Sequence, residues 1–231
     1  MKFKFGVVVF PGSNCDHDSY HVLKHILDLE TVYLWHKDTD LQNCEVIILP
    51  GGFSYGDYIR TGAVAKLSPI MNSVIAFANK GGVVFGICNG FQILTECGLL
   101  PGTLIKNKNL KFVCKDIYIT AVNDVSLLTK SLEKKTLMTP VAHGEGNYFT
   151  DEETLKSLEQ NNQVLFRYSS KKGEISETYN PNGSVQNIAG VMNKNGNVFG
   201  MMPHPERSSD VSLGKTDGLQ IFNSLLQNFI N

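Results

Sequence analysis

No apolar run in this chain approaches the length of a membrane span, so nothing in it reads as a transmembrane segment. The opening MKFKFGVVVFPGSN is too briefly apolar for a signal peptide and lacks a small-residue cleavage site. Charge of either sign is not in excess: 21 Lys and Arg stand against 22 Asp and Glu, a net charge of −1. A nucleic-acid binder concentrates positive charge, and that footprint is missing. The five cysteines are odd in number and lack paired spacing. They argue against a disulfide framework and for the reduced thiols of a cytosol. The expectation is a soluble, cytoplasmic protein with neither a membrane nor a nucleic acid as partner.

What is present suffices for a packed core. Hydrophobic residues make up 42% of the 231 and charged ones 19%, which excludes intrinsic disorder. That length fits one domain of ordinary size or two very small ones. The first half alternates strand-like and helix-like segments. Residues 3–10, 32–35, 46–50 and 81–87 read as strands, and helical spacing runs over 16–30 and 61–79. The run VIILP at 46–50 is continuously apolar and too short for a helix, as in a strand buried on both faces. The second half reads as shorter strands at 111–120, 138–149, 163–169, 186–192 and 197–203, joined by Asn/Gly turns, before an amphipathic helix at 214–230. No linker or internal repeat interrupts the chain. The predicted fold is α/β: an open, mostly parallel sheet with helices on both faces and short β-strands added in the second half, all in a single domain, 1–231.

Three segments carry chemistry. GICNG, residues 86–90, stands where a buried strand gives way to a helix, the pattern of a nucleophile elbow with Cys88 at its tip. A helix starting there points its first N–H groups and its dipole at the sulfur. Read alone, the segment also fits a buried cysteine beside a glycine turn. In MMPHPER, residues 201–207, His204 and Glu206 lie two apart. Pro205 biases His204 toward extended geometry, where residues i and i+2 project to one side. A thiol nucleophile needs such an imidazole and a carboxylate to orient it. The third segment, PGGFSYGDYIRTGA at 50–63, offers backbone N–H groups at Gly51 and Gly52 for an oxyanion and lacks the Gly-Lys-Ser/Thr of a phosphate loop. Ordinary polar loops remain the alternative for the last two. All three sit just past strand ends, where open α/β sheets place their sites.

Together these motifs resemble the class I glutamine amidotransferases, of flavodoxin-like architecture. More narrowly, PGSNCD at 11–16, FSYGDYIRTGA, KFVCK at 111–115 and AHGEGNYF at 142–149 resemble the glutaminase subunits of phosphoribosylformylglycinamidine synthases in purine biosynthesis. The resemblance implies that Cys88 is the nucleophile, His204 the base and Glu206 its orienting carboxylate. It places Gln92, Gly144 and Glu145 at the bound glutamine, and we read the N–H groups of Gly52 and Asn89 as the oxyanion donors. It implies no cofactor on this chain, with ATP and Mg on a large synthetase subunit that receives the ammonia, and a small bridging subunit. One departure from the family pattern is Asp116-Ile117, where an aromatic is expected. A stand-alone thiol hydrolase or peptidase of similar fold is the alternative.

Other residues are set aside. Cys15 lacks an elbow of its own, and Cys44, Cys97 and Cys114 read as small core or boundary residues. His17, His21 and His25, spaced by four, share a helix face but lack a third type of ligand, so no metal site is expected. Lys106, Lys108, Lys111 and Lys115 read as a solvated face, with docking of an acidic partner as the lesser alternative.

Overall fold

The structure, a computed structural model, describes residues 3–230, the last of them without its side chain. Met1, Lys2 and Asn231, the outermost residues of the expected domain, lie outside the described residues. In chain order the strands are β1 (Lys4–Val9), β2 (Glu30–Trp35), β3 (Val46–Leu49), β4 (Val83–Ile87), β5 (Thr103–Ile105) and β6 (Val113–Ala121), then β7 (Thr136–His143), β8 (Asn147–Phe149), β9 (Val164–Ser169), β10 (Ile188–Met192) and β11 (Val198–Met201). The α-helices are α1 (Asp16–His21), α2 (Pro69–Asn79), α3 (Asn89–Glu96), α4 (Glu152–Gln160) and α5 (Leu219–Ile230). The chain divides into two compact units. One takes the chain up to Leu100 together with Asn197–Gly200, and the other takes Pro101–Gly196 and the stretch from Met201 onward.

The first unit is built on strands in the order β2-β1-β3-β4-β11. β1 pairs in parallel with β2 and β3, and β3 with β4. Every residue of β3 and β4 is buried, as their continuous apolar runs require of strands covered on both faces. α1, α2 and α3 pack on these strands. The second unit is antiparallel, in the order β10-β9-β6-β7, with β5 and β8 as a separate two-stranded sheet. An α/β fold with parallel strands first and antiparallel strands added later is thus what the chain adopts. The added strands are not all short, however: β6 and β7, of 9 and 8 residues, are the longest. Among the described residues no helix is long and apolar enough to cross a membrane.

Several boundaries differ from the sequence reading, each for a local reason. The helix expected at 61–79 begins only at Pro69, after a 3-10 turn over Ala65–Leu67. Proline suits a first helical turn, where its missing N–H leaves no bond unmade, and is excluded from the interior. The helix expected at 16–30 is α-helical to His21, widens into a π turn over Val22–Ile26, and stops before Asp28 at φ +51°. The terminal helix starts at Leu219 rather than 214 because Gly214 turns left-handed at φ +69° and Gly218 lies against Pro205. The strand expected at 138–149 is two strands, β7 and β8, separated by a turn at Gly144–Gly146. α4 was missed, although Asp151 caps it by accepting from Thr154 N–H at 2.8 Å.

Candidate active site

In the first unit, β4 runs into α3 through Cys88, whose backbone sits at φ +51°, ψ −104°. A non-glycine residue held there costs about 1–3 kcal/mol, and the packing on either side imposes it. A Cβ on Gly90 would lie 1.9 Å from the Leu49 carbonyl oxygen, and one on Gly86 would lie 2.6 Å from that of Gly90. The G-x-C-x-G spacing therefore records how closely the start of α3 presses on β3. Cys88 is buried, at the N-terminal end of α3.

The loop after β3 is fastened at several points. Phe53 N–H donates to Gly12 O at 3.0 Å, Tyr55 N–H to Pro11 O at 2.6 Å, and Cys15 N–H to Gly51 O at 3.3 Å. Gly52 has φ +136°, and a Cβ there would meet Asn14 N and Ser13 Cα at 2.7 Å. PGSNCD is thus the floor beneath the Gly51-Gly52 turn. The Tyr55 hydroxyl bonds His36 Nδ1 at 2.6 Å and Ser68 Oγ at 2.8 Å, and burial holds the His36 pKa below its usual value. Ser54 N–H donates to Asn89 Oδ1 at 3.1 Å, and Asn89 Nδ2 donates to Gln92 Oε1 at 3.0 Å. The backbone N–H groups of Gly52 and Asn89 meet no acceptor among the described residues. The first unit thus brings Gly52, Cys88, Asn89 and Gln92 into one bonded neighbourhood.

In the second unit, His204 Nδ1 lies 2.6 Å from Glu206 Oε1, both side chains almost wholly buried. The expected pairing is present, but its cause differs from the extended alternation read in the sequence. Pro205–Ser208 is a 3-10 turn that swings Glu206 back toward the ring. His204 N–H donates to Pro140 O at 2.9 Å. Behind the turn, Gly218 N–H donates to Ser208 O at 2.7 Å, and a Cβ on Gly218 would lie 2.1 Å from Pro205 O. Only glycine lets α5 begin so close to the turn.

Gly144 and Glu145 belong to the turn that ends β7, and fully buried Asn107 holds that turn. Asn107 N–H donates to Gly144 O at 2.9 Å, and its Nδ2 donates to His143 O at 2.9 Å and Lys111 O at 2.8 Å. Its Oδ1 accepts from Gly146 N–H at 3.0 Å and lies 3.1 Å from His143 Nδ1. Asn182 Nδ2 donates to Gly146 O at 2.7 Å and to the Tyr168 hydroxyl at 3.1 Å. Gly146 must be glycine because a Cβ would strike the His143 ring at 2.4 Å. Burial, then the nearby His204, lowers the His143 pKa to about 4, so the ring is neutral and its Nδ1–H faces Asn107. Beside the turn lies an open groove of about 310 Å³ lined by Lys106, Leu110, Lys111, Phe112, Gly144 and Glu145. Sequence reading missed Asn107, His143 and Asn182. His143 lay inside AHGEG, whereas Asn107 was hidden among lysines and Asn182 looked like a turn residue.

The residues set aside find ordinary places. Burial pushes the Cys44 and Cys97 thiols up to about 11, while Cys114 is exposed on β6 and not in the core. Cys15 is buried, its Sγ 3.1 Å from Asn14 Oδ1. The Tyr33 hydroxyl lies 3.3 Å from His17 Nδ1, and the His21 and His25 rings sit 5.6 Å apart. Lys108 pairs with Glu177 at 2.9 Å. The departure at Asp116 is answered by Lys215, whose Nζ lies 2.6 Å from Oδ1.

Comparison with known proteins places this geometry in context. Residues 2–218 match the family described as the CobB/CobQ-like glutamine amidotransferase domain. A phosphoribosylformylglycinamidine synthase subunit PurQ from Koribacter versatilis is 53% identical over 224 residues, covering 96% of this chain and 97% of that one. The protein of the same name from Salinibacter ruber is 55% identical over 227 residues, 98% of this chain and 97% of that one. A chain in the structure of PurLQS from Thermotoga maritima superposes with a TM-score of 0.86 at 42% identity, covering 100% of both chains.

Proposed function

Because the chain belongs to the CobB/CobQ-like glutamine amidotransferases, in the branch of the phosphoribosylformylglycinamidine synthase PurQ subunits, we propose that its chemistry runs through Cys88, His204 and Glu206. Its activity is that of the synthase's glutaminase, which releases ammonia from glutamine. The observation that carries the assignment of the nucleophile is the left-handed backbone of Cys88 at a strand-to-helix junction. Strain of this size persists only where surrounding structure over-determines it, and it clusters at working sites.

His204 takes the thiol proton and the Cys88 thiolate attacks the side-chain carboxamide carbon of glutamine. The carbonyl oxygen becomes an oxyanion that Gly52 and Asn89 N–H groups stabilise. Glu206, bonded to Nδ1, fixes the ring so that Nε2 handles the proton and stabilises the imidazolium. The proton passes to the departing nitrogen and ammonia leaves a γ-glutamyl thioester. His204 then deprotonates a water molecule that attacks the thioester, glutamate is released and the thiol is restored. Gln92 and the turn at Gly144 and Glu145 hold the glutamine.

The chain works with a synthetase subunit, as its similarity to a PurLQS chain supports. In this reading the large synthetase consumes ATP with Mg, a small subunit bridges the two, and the assembly is cytoplasmic. Both units serve as one amidotransferase domain, because the family pattern spans residues from each. A stand-alone hydrolase would share the elbow, but the identity along the whole chain is with synthase subunits. Cys88→Ala in the assembled synthase should abolish glutamine-dependent synthesis, while added ammonium salts still support product. Glutamine turnover that survives this substitution would remove Cys88 from the mechanism.

A further inference from the structure

We propose that the Asn89 carboxamide is a positioning residue that sets the oxyanion loop and the Gln92 amide at once, before glutamine binds. The proposal rests on the reading of Cys88 as nucleophile and extends it to a side chain which that reading leaves without a task.

Hydrogen-bond polarity fixes how the Asn89 amide lies. Asn89 is buried, and on one side of it lies Ser54 N–H, 3.1 Å away. An N–H can only donate, so the Asn89 oxygen faces Ser54 and its nitrogen faces the other way. On that other side Nδ2 lies 3.0 Å from Gln92 Oε1 and 3.5 Å from Asp57 Oδ1. Gln92 must then present its oxygen to Asn89 and turn its NH₂ away. One carboxamide therefore fixes which end of the Gln92 amide is oxygen and which is nitrogen.

The same group ties the loop of Gly52 to the helix of Cys88. Ser54 follows Gly52 by two residues, and Asp57, also within reach of Nδ2, closes the same loop. Between them Tyr55 and Gly56 have left-handed backbones, at φ +54° and +70°, and Asp57 follows at +54°. Such a run is not held by its own preference, so its path depends on external ties. Asn89 and Gln92, three apart on α3, present their side chains to each other as helix geometry dictates. An apolar residue at 89 would keep the backbone N–H of the elbow and lose both functions of the side chain.

The test uses the assembled synthase with glutamine, and ammonia-fed synthesis by the same preparations reports whether the complex has formed. Asn89→Ala should lower kcat by about 10²-fold, the effect of a misplaced donor near 1 Å. It should raise KM for glutamine about tenfold, the weight of one hydrogen bond. Asn89→Asp keeps an acceptor for Ser54 but faces Gln92 Oε1 with another acceptor, turning Gln92 over. It should raise KM as much while lowering kcat less than Asn89→Ala, and it carries the test if the alanine variant fails to fold. Because Asn89 acts on KM through Gln92, the double variant Asn89→Ala/Gln92→Ala should have a KM no higher than Gln92→Ala alone. KM effects that multiply in the double variant, or an Asn89→Ala enzyme with both constants within about twofold of the parent, overturn the proposal. Glutamine turnover surviving in Cys88→Ala overturns this proposal together with the reading it rests on, whereas its loss there beside an unaffected Asn89→Ala overturns the positioning role alone.

Discussion

Acid should weaken this protein through His143. A free imidazole titrates near 6.5, whereas burial and the neighbouring His204 lower His143 to about 4. As pH falls, the unfolded chain takes up this proton first and the folded chain only near pH 4. Stability held by the neutral ring is therefore complete above about pH 6.5 and erodes below it by up to about 1.4 kcal/mol per unit. Between pH 7 and pH 5 the loss comes to about 2 kcal/mol, and over the whole window to about 3 kcal/mol. His143→Asn retains a side-chain amide that can donate toward Asn107 but does not titrate. The variant should be less stable at pH 7, because the ring's packing against Gly146 is gone. Its stability should nevertheless fall about 2 kcal/mol less than the parent's on going to pH 5. Urea unfolding followed by circular dichroism at pH 7, 6 and 5 gives both curves, and the carboxylates common to the two proteins cancel in the difference. Parallel curves would refute the reasoning, since they would mean that His143 binds its proton equally well folded and unfolded.

On the proposed mechanism, His204→Asn should cost about 10–100-fold more glutamine turnover than Glu206→Gln, because it removes the proposed base and the other only its orientation. A Glu206→Gln enzyme as active as the parent would detach the carboxylate from the mechanism. Gly90→Ala pushes a Cβ to within 1.9 Å of a backbone oxygen that no rotamer change can move. Thermal unfolding should show a loss of about 3 kcal/mol, at the upper end of overpacking, and an unchanged midpoint would contradict the packing of α3 on β3. The purified subunit should be a poor glutaminase that its synthetase activates, a shift in the population of the productive loop. Rates measured alone, with the partner, and with partner plus its substrates test this, and equal values in all three would exclude coupling.

The elbow was legible because its residue pattern is contiguous, although one contact that demands it, Gly90 against Leu49, reaches across to β3. Two glycines and a cysteine between an apolar run and a helix can hardly be arranged otherwise, and the clashes at Gly86 and Gly90 are the reason. The pairing of His204 with Glu206 was legible too, although the sequence suggested strand alternation and the chain uses a 3-10 turn. What escaped were features imposed from a distance. The pattern over 138–149 carries no mark of the break after His143, because the break is set by Asn107, which lies 36 residues before that histidine. Asn107 itself looked like one more polar residue in a basic stretch. Likewise α2 could not be started correctly from apolar spacing alone, which ignores that Pro69 belongs to a first turn.

Pro140 gives β7 a second purpose. In an antiparallel pair a residue's N–H and C=O point the same way, and β7 stands last in its sheet, with Asp116 of β6 opposite Pro140. Having no N–H to offer β6, Pro140 turns its bonding side outward, where its carbonyl takes the N–H of His204. A bare sheet edge invites another chain to add a strand, and here the free side is occupied by the turn that carries the imidazole. Guarding the edge and seating the His204 imidazole are a single contact. Any change that loosens the His204 turn should therefore show up as self-association in storage as well as lost turnover, and selection for solubility would preserve the same residues as selection for activity.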